Sequence, residues 1–186
     1  MGLMARGWMC CDGINQAQVE GMGEARRILV LGYGNLNRQD DGIGFHVINE
    51  LARRWGRQPF EPQDDGLSRL GGSVDLAFVP QLVPELAEVL ADYDEVYFVD
   101  AHTGAYEEPI RWETLKRAYA PSAFTHHMTP VTLLEITAAL YGRAPMGRLI
   151  SVRGYRFGFG VELSLEAQKL CEEVAEQIIQ CVSSGC

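Results

Sequence analysis

Short apolar runs alternate along this chain with segments whose apolar residues recur at helical spacing. The run Ile28-Leu29-Val30-Leu31 is apolar without alternation and ends at Gly32-Tyr33-Gly34. That pattern predicts a strand buried on both faces that turns sharply at its carboxyl end. Residues 42–55 then carry Ile43, Val47, Ile48 and Leu51 on one helical side, with Arg53 and Arg54 suited to the negative end of the helix dipole. Residues 56–72 are polar and contain Gly and Pro, which predicts a long, mobile loop. Strands are expected at 74–79, 95–100 and 148–152, with a further strand at 110–113 near an edge. Helices are expected at 84–91, at 131–141 (stopped by Gly142) and at 164–182, with Ser164 as an N-cap.

Strands alternating with helices predict a single three-layer α/β/α domain over residues 26–183, with a mostly parallel, twisted sheet covered on both faces. Residues 1–25 lack a continuous apolar stretch and are expected to be a disordered leader. The chain's 186 residues, 47% of them hydrophobic, are enough for one real core. A net charge of −9 disfavours a nucleic-acid surface, which wants a basic face. No apolar run reaches the roughly 18–20 residues of a membrane span, so a soluble, cytoplasmic protein is expected. Cys10, Cys11, Cys171, Cys181 and Cys186 form no Cys-x-x-Cys pair, which favours reduced thiols over a disulfide framework.

The chemistry gathers where the strands end. Gly32-x-Gly34 suggests a dinucleotide turn, but the third glycine of that fingerprint is replaced by Asn37. Asp40 and Asp41 then stand at the helix start, where they would repel a pyrophosphate. A metal-engaging crevice is the competing reading. Asp41 opens the first helix, Asp100 closes the third strand, and both positions face the carboxyl-end crevice of a parallel sheet. The stretch Thr125-His126-His127-Met128-Thr129-Pro130 precedes a helix and is placed to bring imidazole there. Two carboxylates and one imidazole can hold a divalent transition metal with positions left open. Taken singly, Asp40 reads as an N-cap, Asp41 as a dipole partner and Asp100 as a turn residue. His46 reads as packing on the first helix, and His102 as a residue that orients a carboxylate. No Gly-x-Ser-x-Gly or His-Glu-x-x-His occurs.

Gly32-Tyr33-Gly34-Asn35-Leu36, Asp40-Asp41-Gly42-Ile43-Gly44, Phe98-Val99-Asp100-Ala101 and Thr125-His126 together resemble the [NiFe]-hydrogenase maturation endopeptidases. The resemblance runs from about Arg27 to the final helix. It implies a hydrolase that removes a short carboxyl-terminal extension from the hydrogenase large-subunit precursor after nickel insertion. It also implies that Asp41, Asp100 and His126 are the catalytic, metal-contacting residues. Nickel would come with the substrate, and other divalent metals could occupy the same site. Adjacent His126 and His127 both align with the family histidine; His126 is favoured because Met128-Thr129-Pro130 then follows at the usual offset.

One departure stands out. Many members carry Asp-Gly-Gly-Thr after the second strand, whereas this chain has Val79-Pro80-Gln81-Leu82, leaving Gln81 to line that wall. The stretch from Gln81 to Glu88 resembles the branch serving cytoplasmic, NAD(P)-coupled hydrogenases. The expected partner is the precursor large subunit, and the expected state is a monomer without nucleic-acid or membrane partners. Two alternatives remain: a non-catalytic chaperone binding nickel or the precursor on the same fold, and a nucleotide-binding Rossmann-like enzyme.

Overall fold

The computed structural model describes residues 26–116 and 128–184. The expected leader and the His126-His127 pair lie outside the described residues. Strands β1 (Ile28–Tyr33), β2 (Val74–Val79), β3 (Glu95–His102), β4 (Ile110–Thr114) and β5 (Met146–Arg153) form one sheet in the order β2-β1-β3-β5-β4. All pairings are parallel except β4 with β5, which is antiparallel and forms one edge. Helices α1 (Ile43–Arg54), α2 (Leu86–Leu90), α3 (Pro130–Tyr141) and α4 (Leu165–Ser184) complete an α/β/α sandwich.

The continuous apolar runs are explained by burial on both faces. Val30, Leu76, Phe78, Tyr97, Val99 and Ile150 point to one side and join the core made with α1 and α4. Their neighbours Leu29, Leu31, Ala77, Val96 and Phe98 point to the other and pack on α2 and α3. Sequence punctuation sets the helix limits. Thr129 caps α3, accepting from the Thr132 N–H at 3.2 Å, Pro130 occupies the first turn, and Gly142 ends the helix in the left-handed region. Ser164 caps α4 by accepting the Ala167 N–H at 3.2 Å, as its sequence position predicts.

Residues 56–72 form the expected loop, with one 3-10 turn at Leu67–Arg69, and it is anchored to the core. They form no long regular element, yet Phe60 is buried and its backbone is held at both ends by Asn49 of α1. The Phe60 N–H donates to Asn49 Oδ1 at 2.6 Å, and Asn49 Nδ2 donates to the Phe60 carbonyl at 3.3 Å. Farther on, the Phe78 N–H donates to the Asp65 carbonyl at 3.0 Å, so the loop covers the outer edge of β2. The amino-terminal end of the sheet is secured by charge. Glu95 is fully buried and pairs with Arg26 and with Arg148, whose Nε lies 2.6 Å from Oε1.

Candidate active site

β1 leads through α1 to β2 on one side, while β3 leads through β4 and α3 to β5 on the other. The two connections part at the carboxyl ends of β1 and β3, which is where open α/β sheets bind ligands. The residues after β1 explain how the chain builds a site there. Gly34 adopts φ +140°, and a Cβ on it would fall 2.0 Å from the Asp41 carbonyl oxygen. A Cβ on Gly44 would stand 2.8–2.9 Å from Tyr33 N, Tyr33 O and Val99 O. These glycines seat the start of α1 directly against the ends of β1 and β3. The turn between them is a short 3-10 segment, Gln39–Gly42, that carries both acids.

Asp41 is half-buried and its Oδ2 accepts the Asn35 N–H at 3.3 Å. Asp100 comes from the end of β3, where Oδ1 accepts the Ala101 N–H at 2.8 Å. Burial pushes the Asp100 carboxyl up to about 6, with the nearby Asp41 charge adding to the rise. Hydrogen bonds from the Tyr33 hydroxyl and the Ala101 amide oppose it without cancelling it. Tyr33 is itself raised well above the usual phenol range, first by burial and then by the Asp100 charge. Asp41 lies close enough for its charge to be felt at Asp100, at the carboxyl ends of β1 and β3. Among the described residues no group of three His, Cys, Asp or Glu side chains is placed to hold a metal ion. The chain resumes at Met128, which packs on the α2–α3 face of the sheet just before α3.

Two sequence readings change here, and one residue is added. Asp40 caps neither the 3-10 turn nor α1; it is fully buried and reaches across the fold. Its Oδ1 accepts the Ser164 N–H at 2.7 Å. Its Oδ2 accepts the Tyr155 N–H at 2.7 Å, the Arg156 N–H at 2.9 Å and the Ser164 hydroxyl at 2.7 Å. Burial alone would raise this carboxyl, but these four donors outweigh it and hold Asp40 below the usual carboxylate range. His102 does not orient Asp100. It accepts the Gly104 N–H at Nδ1, 3.2 Å away, and sets its ring edge-on to Tyr106, and burial pushes its basicity down. The group that does orient Asp100 is Tyr33, a residue whose sequence signature was only its place between two glycines.

Gln81 lines an open cavity of about 440 Å³ with Asp65, Leu67, Val79, Val83 and Glu85. The cavity adjoins the carboxyl end of β2, next to the β1 turn, because the Gly34 N–H donates to the Val79 carbonyl. His46 lies half-buried on α1, edge-on to Phe45. Cys171 is buried against α1, with its thiol pushed up to about 12 by burial.

An open, mostly parallel α/β/α sheet with its crevice at the β1–β3 switch point places the chain in a fold shared with hydrogenase maturation proteases. The [NiFe] hydrogenase maturation protease HycI of Thermococcus kodakarensis matches with a TM-score of 0.59 and 20% identity, over 90% of this chain and 99% of that one. The hydrogenase maturating endopeptidase HybD of E. coli matches with a TM-score of 0.61 and 21% identity, over 86% and 93%. A hydrogenase 2 maturation peptidase from a Thaumarchaeota archaeon gives 0.56 and 21%, over 85% and 99%. At such identities the likeness establishes the fold. No protein-family model and no curated protein sequence matches the chain.

Proposed function

We propose that this protein is an endopeptidase of [NiFe]-hydrogenase maturation, removing the carboxyl-terminal extension of a large-subunit precursor once nickel is in place. The observation that carries the reading is the convergence of Asp41 and Asp100 at the switch point, on a fold shared with proteins named for that activity. Two carboxylates are a sparse ligand set, suited to engaging a metal that arrives with most of its own ligands. His126, two residues before Met128, is the proposed third contact. Cleavage would then be conditional on nickel loading, because only a loaded precursor offers these side chains a metal. Asp41 and Asp100 serve either of two routes to hydrolysis, polarisation of the peptide carbonyl by the metal or activation of water by a carboxylate. The same reading makes the protein a cytoplasmic monomer whose cleft admits a large folded partner.

The test is intact mass spectrometry of nickel-loaded and nickel-free large-subunit precursor from the same source. Each form is incubated with the wild-type chain and with Asp41→Asn, Asp100→Asn and His126→Ala variants. Nickel-dependent loss of one carboxyl-terminal peptide, abolished by the variants, is the expected result. An intact loaded precursor after prolonged incubation with folded wild-type protein would refute the endopeptidase. If that uncut precursor stays bound, the chain is an assembly chaperone.

A further inference from the structure

The loop between β5 and α4 is built in an unusual way. Seven large hydrophobic residues are exposed among the described residues, and four of them, Tyr155, Phe159, Val161 and Leu165, fall within residues 155–165. Phe159 is 100% exposed, Leu165 72%, Val161 64% and Tyr155 46%. Exposed apolar side chains in a loop ordinarily fold back onto the core, and here the backbone prevents it. Asp40 holds Tyr155, Arg156 and Ser164, and Gln39 Oε1 accepts the Gly158 N–H at 3.0 Å. Gly160 forms a parallel bridge with Arg38, donating to the Asn37 carbonyl at 3.0 Å and accepting the Gln39 N–H at 2.8 Å. The loop is thus fastened to the very turn that carries Asp41.

We propose that residues 155–165 form a rigid docking ridge for the folded precursor beside the scissile segment, an inference that rests on the function proposed above. A fixed apolar ridge on an otherwise acidic protein marks a protein-contact surface. Its charge defines the partner. Arg38 and Arg156 are exposed at the ridge and form no ion pair with another described residue, and they outnumber Glu162, the one exposed acid among residues 155–165. The matching surface is therefore an apolar cleft with an acidic rim on the precursor. A net charge of −9 opposes an anionic lipid surface. Because the ridge and Asp41 share one hydrogen-bonded turn, docking would fix the distance between the precursor body and the cut.

The test compares wild-type protein with the double variant Phe159→Ser/Val161→Ser, with Arg38→Glu/Arg156→Glu, and with Phe159→Leu, using nickel-loaded precursor. Phe159 touches no core residue, so the serine variant should melt at the wild-type temperature. KM should rise about tenfold or more in both double variants at unchanged kcat, as expected when contact anchors are lost. Phe159→Leu, which keeps an apolar side chain, should stay close to wild type. Binding to an Asp41→Asn background, read by biolayer interferometry, should weaken in parallel, and the arginine variant should lose the salt dependence of binding. A wild-type chain that neither binds nor cuts the precursor overturns the proposed function and the ridge with it. A wild-type chain that cuts, beside a serine variant with unchanged KM, overturns the ridge alone. A concentration-dependent dimer in sedimentation that the serine variant abolishes, with KM unchanged, assigns the ridge to a second copy instead.

Discussion

Removal of the Asp40 carboxylate is the sharpest stability test that the fold offers. Its four donors come from Tyr155, Arg156 and Ser164, so Asp40→Ala strips acceptors from two loop amides and from both polar groups of a cap. Tyr155 and Arg156 are exposed, and water can replace part of what their amides lose. Ser164 is only 2% exposed, so its N–H and hydroxyl are orphaned. Each orphaned buried donor costs about 1–3 kcal/mol, and the loss of hydrogen bonds to a charge adds to that, giving about 3–5 kcal/mol in all. For a domain of this size that corresponds to a fall of about 6–20 °C in melting temperature. Asp40→Asn should cost less, about 1–3 kcal/mol, because Oδ1 can keep the three donors now on Oδ2 while Nδ2 meets the Ser164 N–H. The pH dependence has a definite sign. A carboxyl held below its ordinary range contributes stability that is complete above about pH 4 and disappears as pH falls through the depressed value. Melts by circular dichroism should therefore show wild type and Asp40→Asn converging in acid and separating at neutral pH. An Asp40→Ala protein melting within about 2 °C of wild type would refute the reasoning, as would a gap between wild type and Asp40→Asn that does not change with pH.

Asp100→Asn should abolish processing yet raise the melting temperature at pH 8. The native carboxyl binds its proton more tightly than the unfolded one, so stability falls as pH rises from about 4 to about 6, by up to about 3 kcal/mol. Thermal melts at pH 4.5 and 8 check this, and an Asn variant less stable than wild type at pH 8 would contradict it. Gly44→Ala forces a methyl against three backbone atoms closer than 3.0 Å and should cost about 1–3 kcal/mol, read from the urea midpoint. Asn49→Ala leaves both backbone groups of Phe60 without their partner and should cost about 1–3 kcal/mol. Hydrogen exchange at the Phe78 amide, which bonds the same loop, should speed up, and unchanged protection there would count against the clamp.

The architecture was legible because the central strands are buried on both faces and so appear as unbroken apolar runs. β2 falls at the expected 74–79, and α3 is bracketed by Pro130 and Gly142. Strand β3 runs two residues past its expected end at Asp100, because Ala101 and His102 still pair with β5. The placement of Asp41 and Asp100 on one edge was legible because strand ends in a parallel sheet share an edge. Asp40 was not, since its partners lie 115–124 residues away and local sequence offers a cap as the simpler account. The role of Tyr33 depends on Asp100 of a different strand, a pairing that no spacing rule encodes. The loop at residues 56–72 was legible from its composition, but its anchor was not, because one buried phenylalanine held by an asparagine of α1 leaves no local pattern.

Because α4 runs back from the carboxyl edge, Arg26 and Ser184 both sit toward the end of the sandwich opposite the crevice. Arg26 is held there by Glu95, and α4 passes the carboxyl end of α1 through the pairing of Arg54 with Glu176. The first and last described residues thus lie together on the side away from the cleft. The crevice and the 155–165 ridge share the opposite end, so a large partner settling on them meets neither Arg26 nor Ser184.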